Sequence, residues 1–422
     1  METISQHITF PIKGIESPDE ERFFSHFANV MPHILTLPSD QSDEPVLSVI
    51  IPMSLEDTMV LKAVLCMGAS HLIHHLSLDD TETGRLVNEK QRLLQEAEHE
   101  QSSRLVVLHS LDKGTEKKIA EYEALLTSYL LLYLYELSEG NDDGSWQRRL
   151  DCARDVVFGA LEEHRDVTGR QRDLDNVERD EQGPSQEELE SLGVDQFLMQ
   201  FFIYHDIMGS VTVQRSKNSL IRSNSEGTPS PSNHDNREHM LGVQNGLLDF
   251  IARTAALRSD AENVLSGPVI SQAVCIWQDI DNWQLPGRDS EFQSDLCHIY
   301  EAYIAASFIW LFSILYPDSL TDDKVQTMVR RGLSSLSSIQ MPGLQSFALY
   351  PAFVIGVACI QQQDRDVLDE QLDRIERVRG FRNVQLCRTV IRNTWIAHDA
   401  GEKQSWNWIR LMEAQGVSVP VT

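Results

Sequence analysis

Histidines at helical spacing are the residues of this chain best placed to bind a metal ion. In the segment HLIHH, residues 71–75, His71 and His75 are four positions apart and therefore share one face of a helix. The zinc peptidase motif also requires a glutamate directly after the first histidine as the general base, whereas Leu72 occupies that position. Because no third ligand is identifiable, we interpret these side chains as partly buried structural histidines and predict no metal site.

Two acidic pairs, Asp79-Asp80 and Asp322-Asp323, raise the alternative of a magnesium site like that of the all-helical terpene cyclases. Such a site needs a further carboxylate at a set spacing, and Thr83, Val325 and Gln326 do not supply it. Acidic side chains are favoured at the start of a helix, where the macrodipole is positive. We therefore predict that both pairs mark helix N-termini and not a catalytic centre.

His205 and Asp206 are neighbours that could suggest acid–base chemistry. Adjacent residues of a helix point about 100° apart, so the two side chains cannot act together on one substrate atom. We predict instead that Asp206 is buried and hydrogen-bonded. The patterns GxSxG, GxxxxGKS/T and GxGxxG, which mark nucleophile elbows and phosphate-binding loops, do not occur. The sequence thus predicts no catalytic residue and no cofactor.

The cysteines are too widely spaced to form a structural zinc site. Such a site needs ligands in short-spaced pairs, because one tight turn must present two thiolates to the same ion, and no CxxC pair occurs. We predict that four cysteines in apolar helical patterns are small core residues. These four are Cys66, Cys275, Cys359 and Cys387, and the remaining two are Cys152 and Cys297.

The chain is strongly acidic, which argues against direct binding to nucleic acid. Its 422 residues include 36 lysines and arginines against 64 aspartates and glutamates, giving a net charge of −28. Affinity for DNA comes largely from basic side chains that neutralise phosphates, so we expect no direct DNA contact. No signal-peptide pattern is visible, and the apolar runs at residues 124–137 and 305–316 are shorter than the roughly 18 residues of a membrane span. We therefore expect an intracellular protein without a membrane partner.

Apolar residues recur at helical spacing along most of the chain, and this periodicity predicts an all-α fold of antiparallel helices. A capping box, Ser17-Pro18-Asp19-Glu20, opens the first helix. Residues 46–51 are the only strand candidate. The predicted helices lie near residues 18–31, 54–77, 81–111, 117–137, 145–157, 194–213, 247–256, 270–283, 292–315 and 325–338, followed by three more within residues 348–395.

Two segments interrupt the helical pattern. Residues 162–190 are dense in charge, and residues 214–238 are rich in Ser, Asn, Pro and Arg. Neither segment contains enough apolar side chains to offset the entropy lost on ordering. We predict two long mobile loops within a single domain that spans residues 1–422.

Residues 348–395 are the most informative stretch for the class of protein. They are predicted to form a buried helix with Pro351 near its start, an amphipathic helix ended by Gly380, and a third helix that ends near Trp395. The amphipathic helix has opposite charges four residues apart, which is the spacing of helix-surface ion pairs. These pairs are Glu370 with Arg374 and Asp373 with Arg377.

This order of elements, with small residues at Gly356 and Ala358 and a terminal Trp395, resembles the carboxyl-terminal part of the fungal-specific transcription factor domain. Further markers recur in the family's order upstream, so the resemblance extends over about residues 20–416. That domain is the all-helical region that follows a zinc-cluster DNA-binding motif in many fungal regulators. Closely spaced cysteines of that motif are missing, so either the protein acts without its own DNA-binding module or the gene model begins downstream of one.

The resemblance implies a transcriptional regulator or co-regulator that acts by binding and not by catalysis. The implied partner is a DNA-bound regulator, a second copy of the chain, or a small effector. The implied location is the nucleus, with sharing into the cytoplasm left open, and the implied targets are metabolic or secondary-metabolite genes. A cytosolic scaffold or ligand-binding protein derived from the same fold is the alternative.

Overall fold

Helices form all of the regular structure in the part of the chain that the computed structural model describes, namely residues 12–38, 44–75, 80–108, 110–168, 184, 188–189, 191–213, 239–243, 245–261, 266–284 and 291–422. The predicted all-α class is therefore confirmed. In chain order the helices are α1 (Pro18–Val30), α2 (Pro32–Leu35), α3 (Ile51–Glu56), α4 (Thr58–His75), α5 (Asp80–Leu108), α6 (Glu116–Glu139), α7 (Ser145–Thr168), α8 (Gln196–Gly209), α9 (Leu247–Ala261), α10 (Gly267–Asn282), α11 (Glu291–Leu315), α12 (Asp323–Ser338), α13 (Pro342–Gln345), α14 (Leu349–Val357), α15 (Gln362–Arg379), α16 (Asn383–Asp399) and α17 (Trp408–Gln415).

Helix α4 lies at the centre of the first half of the fold. It is apolar on nearly all sides and packs against α1, α5 and α6, so burial on every face explains its weak amphipathic pattern. Gly68 allows α1 to approach closely, because a Cβ atom at this position would collide with the carbonyl oxygen of Phe23. The predicted N-cap at the start of α1 is confirmed, since the Ser17 hydroxyl accepts a hydrogen bond from the Glu20 amide at 3.2 Å. The Glu20 carboxylate accepts from the Glu16 amide at 2.6 Å, one residue before the partner that a capping box predicts.

Helix α11 lies at the centre of the second half of the fold, where it packs against α9, α12 and α14. Helix α14 is buried along its whole length and also contacts α15 and α16. One segment of α11, Ser294–Leu315, is long and apolar enough to cross a membrane by length and composition, and 67% of its apolar window is buried inside the fold. It is longer than the apolar run expected from the sequence, and its burial is typical of a core helix.

The strand candidate at residues 46–51 is not a strand, because the segment forms a π-helical turn, Val46–Ile50, that leads directly into α3. Val46 and Ile50 are fully buried and four residues apart, whereas Leu47 is exposed. That burial follows a helical period and not the alternation of a strand. The helix expected at residues 54–77 is interrupted at Asp57, whose carboxylate accepts hydrogen bonds from the first amides of α4.

Other boundaries differ in smaller ways. Helix α7 continues to Thr168, so the first predicted loop begins at least seven residues too early, and its remainder lies mostly outside the described residues. The second predicted loop, residues 214–238, lies wholly outside them. The predicted left-handed cap at Gly380 is confirmed by a φ of 64°.

The ion pairs expected along α15 are not formed as predicted. Arg374 donates instead to the carbonyl oxygens of Ser337 and Ile339, and Asp373 pairs with Arg388 of α16. Contacts with other parts of the fold have therefore replaced the local i,i+4 ion pairs. The pair of Asp373 with Arg388 also links α15 to α16. Such local pairs are worth only about 0.2–0.5 kcal/mol and are easily displaced.

Candidate functional site

The histidines singled out by the sequence belong to a row of three imidazoles, which we call the histidine row and define as His26, His71 and His75. His71 is central and buried: its Nδ1 is 2.8 Å from Nε2 of His26, and its Nε2 is 3.1 Å from Nε2 of His75. These contacts lie on opposite edges of the His71 ring and do not converge on one point. Among the described residues, no group of three or more His, Cys, Asp or Glu side chains is arranged to hold a metal ion.

The histidine row holds the end of helix α15. His71 Nε2 is 3.0 Å from the carbonyl oxygen of Arg379, the last residue of that helix. Burial lowers the pKa of His71 to about 3 and that of His26 to about 4, so both rings are neutral at pH 7. A neutral His71 that donates from Nε2 to Arg379 must accept at Nδ1, and His26 is the donor within reach. The row thus fixes the backbone of α15 against α1 and α4.

Gly380 completes this junction. Its φ of 64° suits the left-handed conformation that ends a helix, and its amide donates to the Glu376 carbonyl oxygen at 2.8 Å. A Cβ atom at Gly380 would collide with the rings of His75 and His71. Glycine is therefore required here for close packing as well as for backbone geometry.

The side chain of Arg379 enters the core on the other side of this junction. It is 4% exposed, and its guanidinium lies 4.9 Å from the centre of the Phe381 ring. No hydrogen-bond partner reaches its Nε or Nη1 atoms among the described residues. Burial lowers the pKa of this guanidinium, although the phenols of Tyr204 and Tyr133 act in the opposite direction. A buried cation without hydrogen bonds is costly, so it needs an explanation.

The side chains that share an electrostatic interaction with Arg379 include what we call the inner polar cluster, defined as Arg379, His205, Tyr133, Tyr204 and Tyr303. The hydroxyls of Tyr204 and Tyr303 are 3.3 Å apart, and Tyr303 donates to the Phe347 carbonyl oxygen at 2.8 Å. Neither ring nitrogen of His205 has a hydrogen-bond partner among the described residues. Burial and the nearby Arg379 charge lower the pKa of His205 to about 3, so this ring is neutral at pH 7. The cluster contains one positive charge and two side chains with unused hydrogen-bonding capacity.

Asp206 points away from this cluster, as the spacing of adjacent helix residues predicts. Its carboxylate accepts from Arg154 of α7 at 2.5 Å, while His205 packs edge-on against Phe201. Asp206 is buried, so the predicted buried and hydrogen-bonded aspartate is confirmed. It joins α7 to α8 and has a structural role.

The acidic pair at Asp322-Asp323 marks a helix start, as predicted. Asp322 is the N-cap of α12, and its Oδ1 atom accepts from the Lys324 amide at 2.8 Å. In the other pair, Asp79 lies outside the described residues and Asp80 is the first residue of α5.

Replacing Asp322 tests this capping role. We expect Asp322→Ala to lower the free energy of unfolding by about 1 kcal/mol, the usual cost of losing an N-cap, with no dependence on magnesium. Urea unfolding with and without millimolar magnesium chloride measures both quantities. Stabilisation of the unmodified protein by magnesium, lost in the variant, would instead favour a metal site.

The interpretation of the cysteines needs one correction. Cys275 is exposed, whereas the other three predicted core cysteines are buried, as is Cys297. Helix α10 buries one stripe, with Ala273 and Ile276 in it, and Cys275 lies beside that stripe. All six thiols are free.

Comparison with known protein families agrees with the helical architecture. Residues 22–421 match one family model, described as the fungal specific transcription factor domain. No curated protein and no solved structure gave a match. The matched range takes in both halves of the fold, the histidine row and the inner polar cluster. The chain therefore belongs to the fungal-specific transcription factor domain family.

Proposed function

We propose that this protein regulates transcription by binding a protein partner or a small effector, without catalysis. The observation that carries this proposal is the match of residues 22–421 to the regulatory helical domain of fungal transcription factors. Residues 1–422 would act as one unit, in the nucleus, on a metabolic or secondary-metabolite gene set. Among the residues considered for catalysis, Asp322 caps a helix, Asp206 pairs with Arg154, and His71, His75 and His205 pack against other side chains, which supports a binding role.

The partner in this proposal is a DNA-bound regulator or a second copy of the chain. The net charge of −28 opposes contact with phosphates, because each DNA contact requires a basic group to replace a counterion. Many of the basic side chains are also neutralised by carboxylates, as in the Arg104 pairs with Asp57 and Glu121. DNA recognition is therefore assigned to the partner.

Recovery of the tagged protein from nuclear extract tests the regulator function. We expect nuclear enrichment, association with chromatin under inducing conditions, and co-purification of a zinc-cluster protein or of a second, differently tagged copy. If the protein stays out of the nucleus and off chromatin under all these conditions, the regulator proposal fails. A cytosolic scaffold or ligand-binding protein would then be the better description.

Direct DNA binding can be tested separately with the purified chain. We expect no shift of duplex DNA in a gel at about 150 mM salt, because the acidic surface of the protein repels the phosphate backbone of DNA. A mixture with the recovered partner should shift the partner's DNA site further than the partner alone. A shift by the chain alone that resists competitor DNA would contradict the assignment of DNA recognition to the partner.

A further inference from the structure

We propose that the inner polar cluster binds a small organic monocarboxylate, with Arg379 as the group that holds the carboxylate. Occupation of this site would be the effector step of the proposed regulation, and in that respect the inference rests on the proposed function. Binding itself follows from the charges and hydrogen bonds inside the fold and can be tested without reference to transcription.

Arg379 differs from every other buried basic side chain that the structure describes. Lysine or arginine is buried at four positions, and three of these contact a carboxylate at 2.6–2.7 Å. The three pairs are Lys90 with Glu139, Lys118 with Glu163, and Arg365 with Asp399. Only Arg379 has no such partner among the described residues. Within the described residues, a carboxylate thus balances each buried cation except Arg379.

The groups that influence the charge of Arg379 are phenols and a thiol, and none of them supplies the missing anion. Burial raises the pKa of Tyr204 to about 12 and that of Tyr303 well above its usual range, so both phenols are uncharged at pH 7. Burial also raises the pKa of the Cys387 thiol. An anion from outside the chain would restore neutrality and give hydrogen bonds to Nε and Nη1.

The chemistry of the surroundings restricts the ligand to one charge on an apolar body. A single guanidinium balances a monoanion, whereas a phosphate dianion would leave a second buried charge uncompensated. The Phe381 ring supplies aromatic surface 4.9 Å from the guanidinium, and the rings of Phe201 and Tyr204 pack edge-on against His205. Neutral His205, with both nitrogens unused, can pair with one further polar group of the ligand. These features favour a carboxylic acid with an aromatic or aliphatic body.

The backbone of Arg379 links the inner polar cluster to the histidine row. The carbonyl oxygen of this residue contacts His71, and the adjacent Gly380 packs against His75. A ligand that moved the guanidinium would therefore act on the junction of α15 with α1 and α4. This arrangement couples the inner polar cluster to the histidine row.

Thermal unfolding of the full chain at pH 7 with acetate, benzoate and benzamide tests the proposal. We expect benzoate or acetate to raise Tm by about 2 °C or more in a saturable way, with no effect of the uncharged benzamide. In Arg379→Met this response should vanish. Without added acid, the same variant should melt at the same temperature as the unmodified protein or about 2 °C higher, because it removes an uncompensated buried charge.

Arg365→Met is the matched control, since it removes another buried arginine from the same helix. Arg365 donates hydrogen bonds to Asp399 and to the Cys359 carbonyl oxygen, so this variant should melt at a lower temperature and keep its response to the acids. The proposal is overturned if neither carboxylate gives a saturable shift in the unmodified protein, or if Arg379→Met responds as the unmodified protein does. Failure of Arg379→Met to fold would also overturn it, because a charge without a partner cannot be essential for folding.

The two levels of the proposal fail in different ways. Saturable carboxylate binding by a protein that never enters the nucleus would leave the site standing and remove the regulator function. A nuclear, chromatin-associated protein that binds no carboxylate would leave the regulator function standing and remove the site.

Discussion

Acidification from pH 7 to pH 5 is expected to remove about 4 kcal/mol of stability through His71 and His205. Burial lowers the pKa of both histidines to about 3, from 6.5 when exposed. The unfolded chain therefore binds protons below pH 6.5 that the folded protein cannot take up until about pH 3. Since the unfolded state holds more protons in this window, stability falls as the pH falls, by about 2 kcal/mol for each histidine at pH 5.

Variants separate this effect from the other groups that titrate in the same range. Burial raises the pKa of Glu44 and Glu123, and such carboxyl groups gain stability on acidification, so they offset part of the loss. Urea unfolding of His205→Phe at several pH values isolates one histidine, because phenylalanine suits the aromatic surroundings and does not titrate. We expect its pH dependence to be weaker by about 2 kcal/mol between pH 7 and pH 5. His99→Gln, at an exposed position, is the control and should follow the unmodified protein.

A pH profile of His205→Phe parallel to that of the unmodified protein would contradict the burial of His205 as a neutral ring. The same experiment with His71→Gln tests the histidine row, where Arg22, His26, His74 and His75 are the nearby titratable or charged groups. A parallel profile there would mean that His71 takes up a proton in the folded state, and that its contact with Arg379 is made by an imidazolium.

Local sequence patterns were sufficient to predict the helices and many of their ends. Capping residues act through neighbouring backbone atoms, which is why Ser17, Asp322 and Gly380 could be assigned from sequence alone. The π-helical turn at Val46–Ile50 could not, because a short apolar run fits both a strand and a buried helical turn.

The candidate site was harder to predict because its members come from separate parts of the chain. His26 and His71 meet only where α1 packs on α4. Arg379 did carry a signal: it follows Leu368, Leu372 and Ile375 on the buried stripe of α15, so the helical period placed a cation in the core. The helical periodicity of the sequence does not show whether a carboxylate from another helix lies beside that cation. The helical period places both Arg365 and Arg379 on the buried stripe of α15. Among the described residues, only Arg365 contacts a carboxylate.

Removal of Glu139 is expected to cost about 3–5 kcal/mol, because it would leave Lys90 as a second buried cation without a partner. Lys90 Nζ lies 2.6 Å from this carboxylate, and the Ser70 hydroxyl donates to it at 2.6 Å. Burial alone would raise the pKa of Glu139, but the contacts with His74 and Lys90 lower it to about 2. The group is therefore charged at pH 7 and joins α4, α5 and α6. Urea unfolding of Glu139→Ala at pH 7 measures the loss.

An exposed pair on the same fold provides the control for this loss. Asp166 contacts Lys113 at 2.8 Å with both side chains more than half exposed, so Asp166→Ala should cost far less than Glu139→Ala. The double variant Lys90→Met with Glu139→Leu should recover most of the stability that Glu139→Ala loses, because no charge is then left unpaired. A double variant as unstable as Glu139→Ala would assign the cost to packing. It would also weaken the inference that an unpaired Arg379 needs an anion, since both arguments depend on the cost of one uncompensated charge in this core.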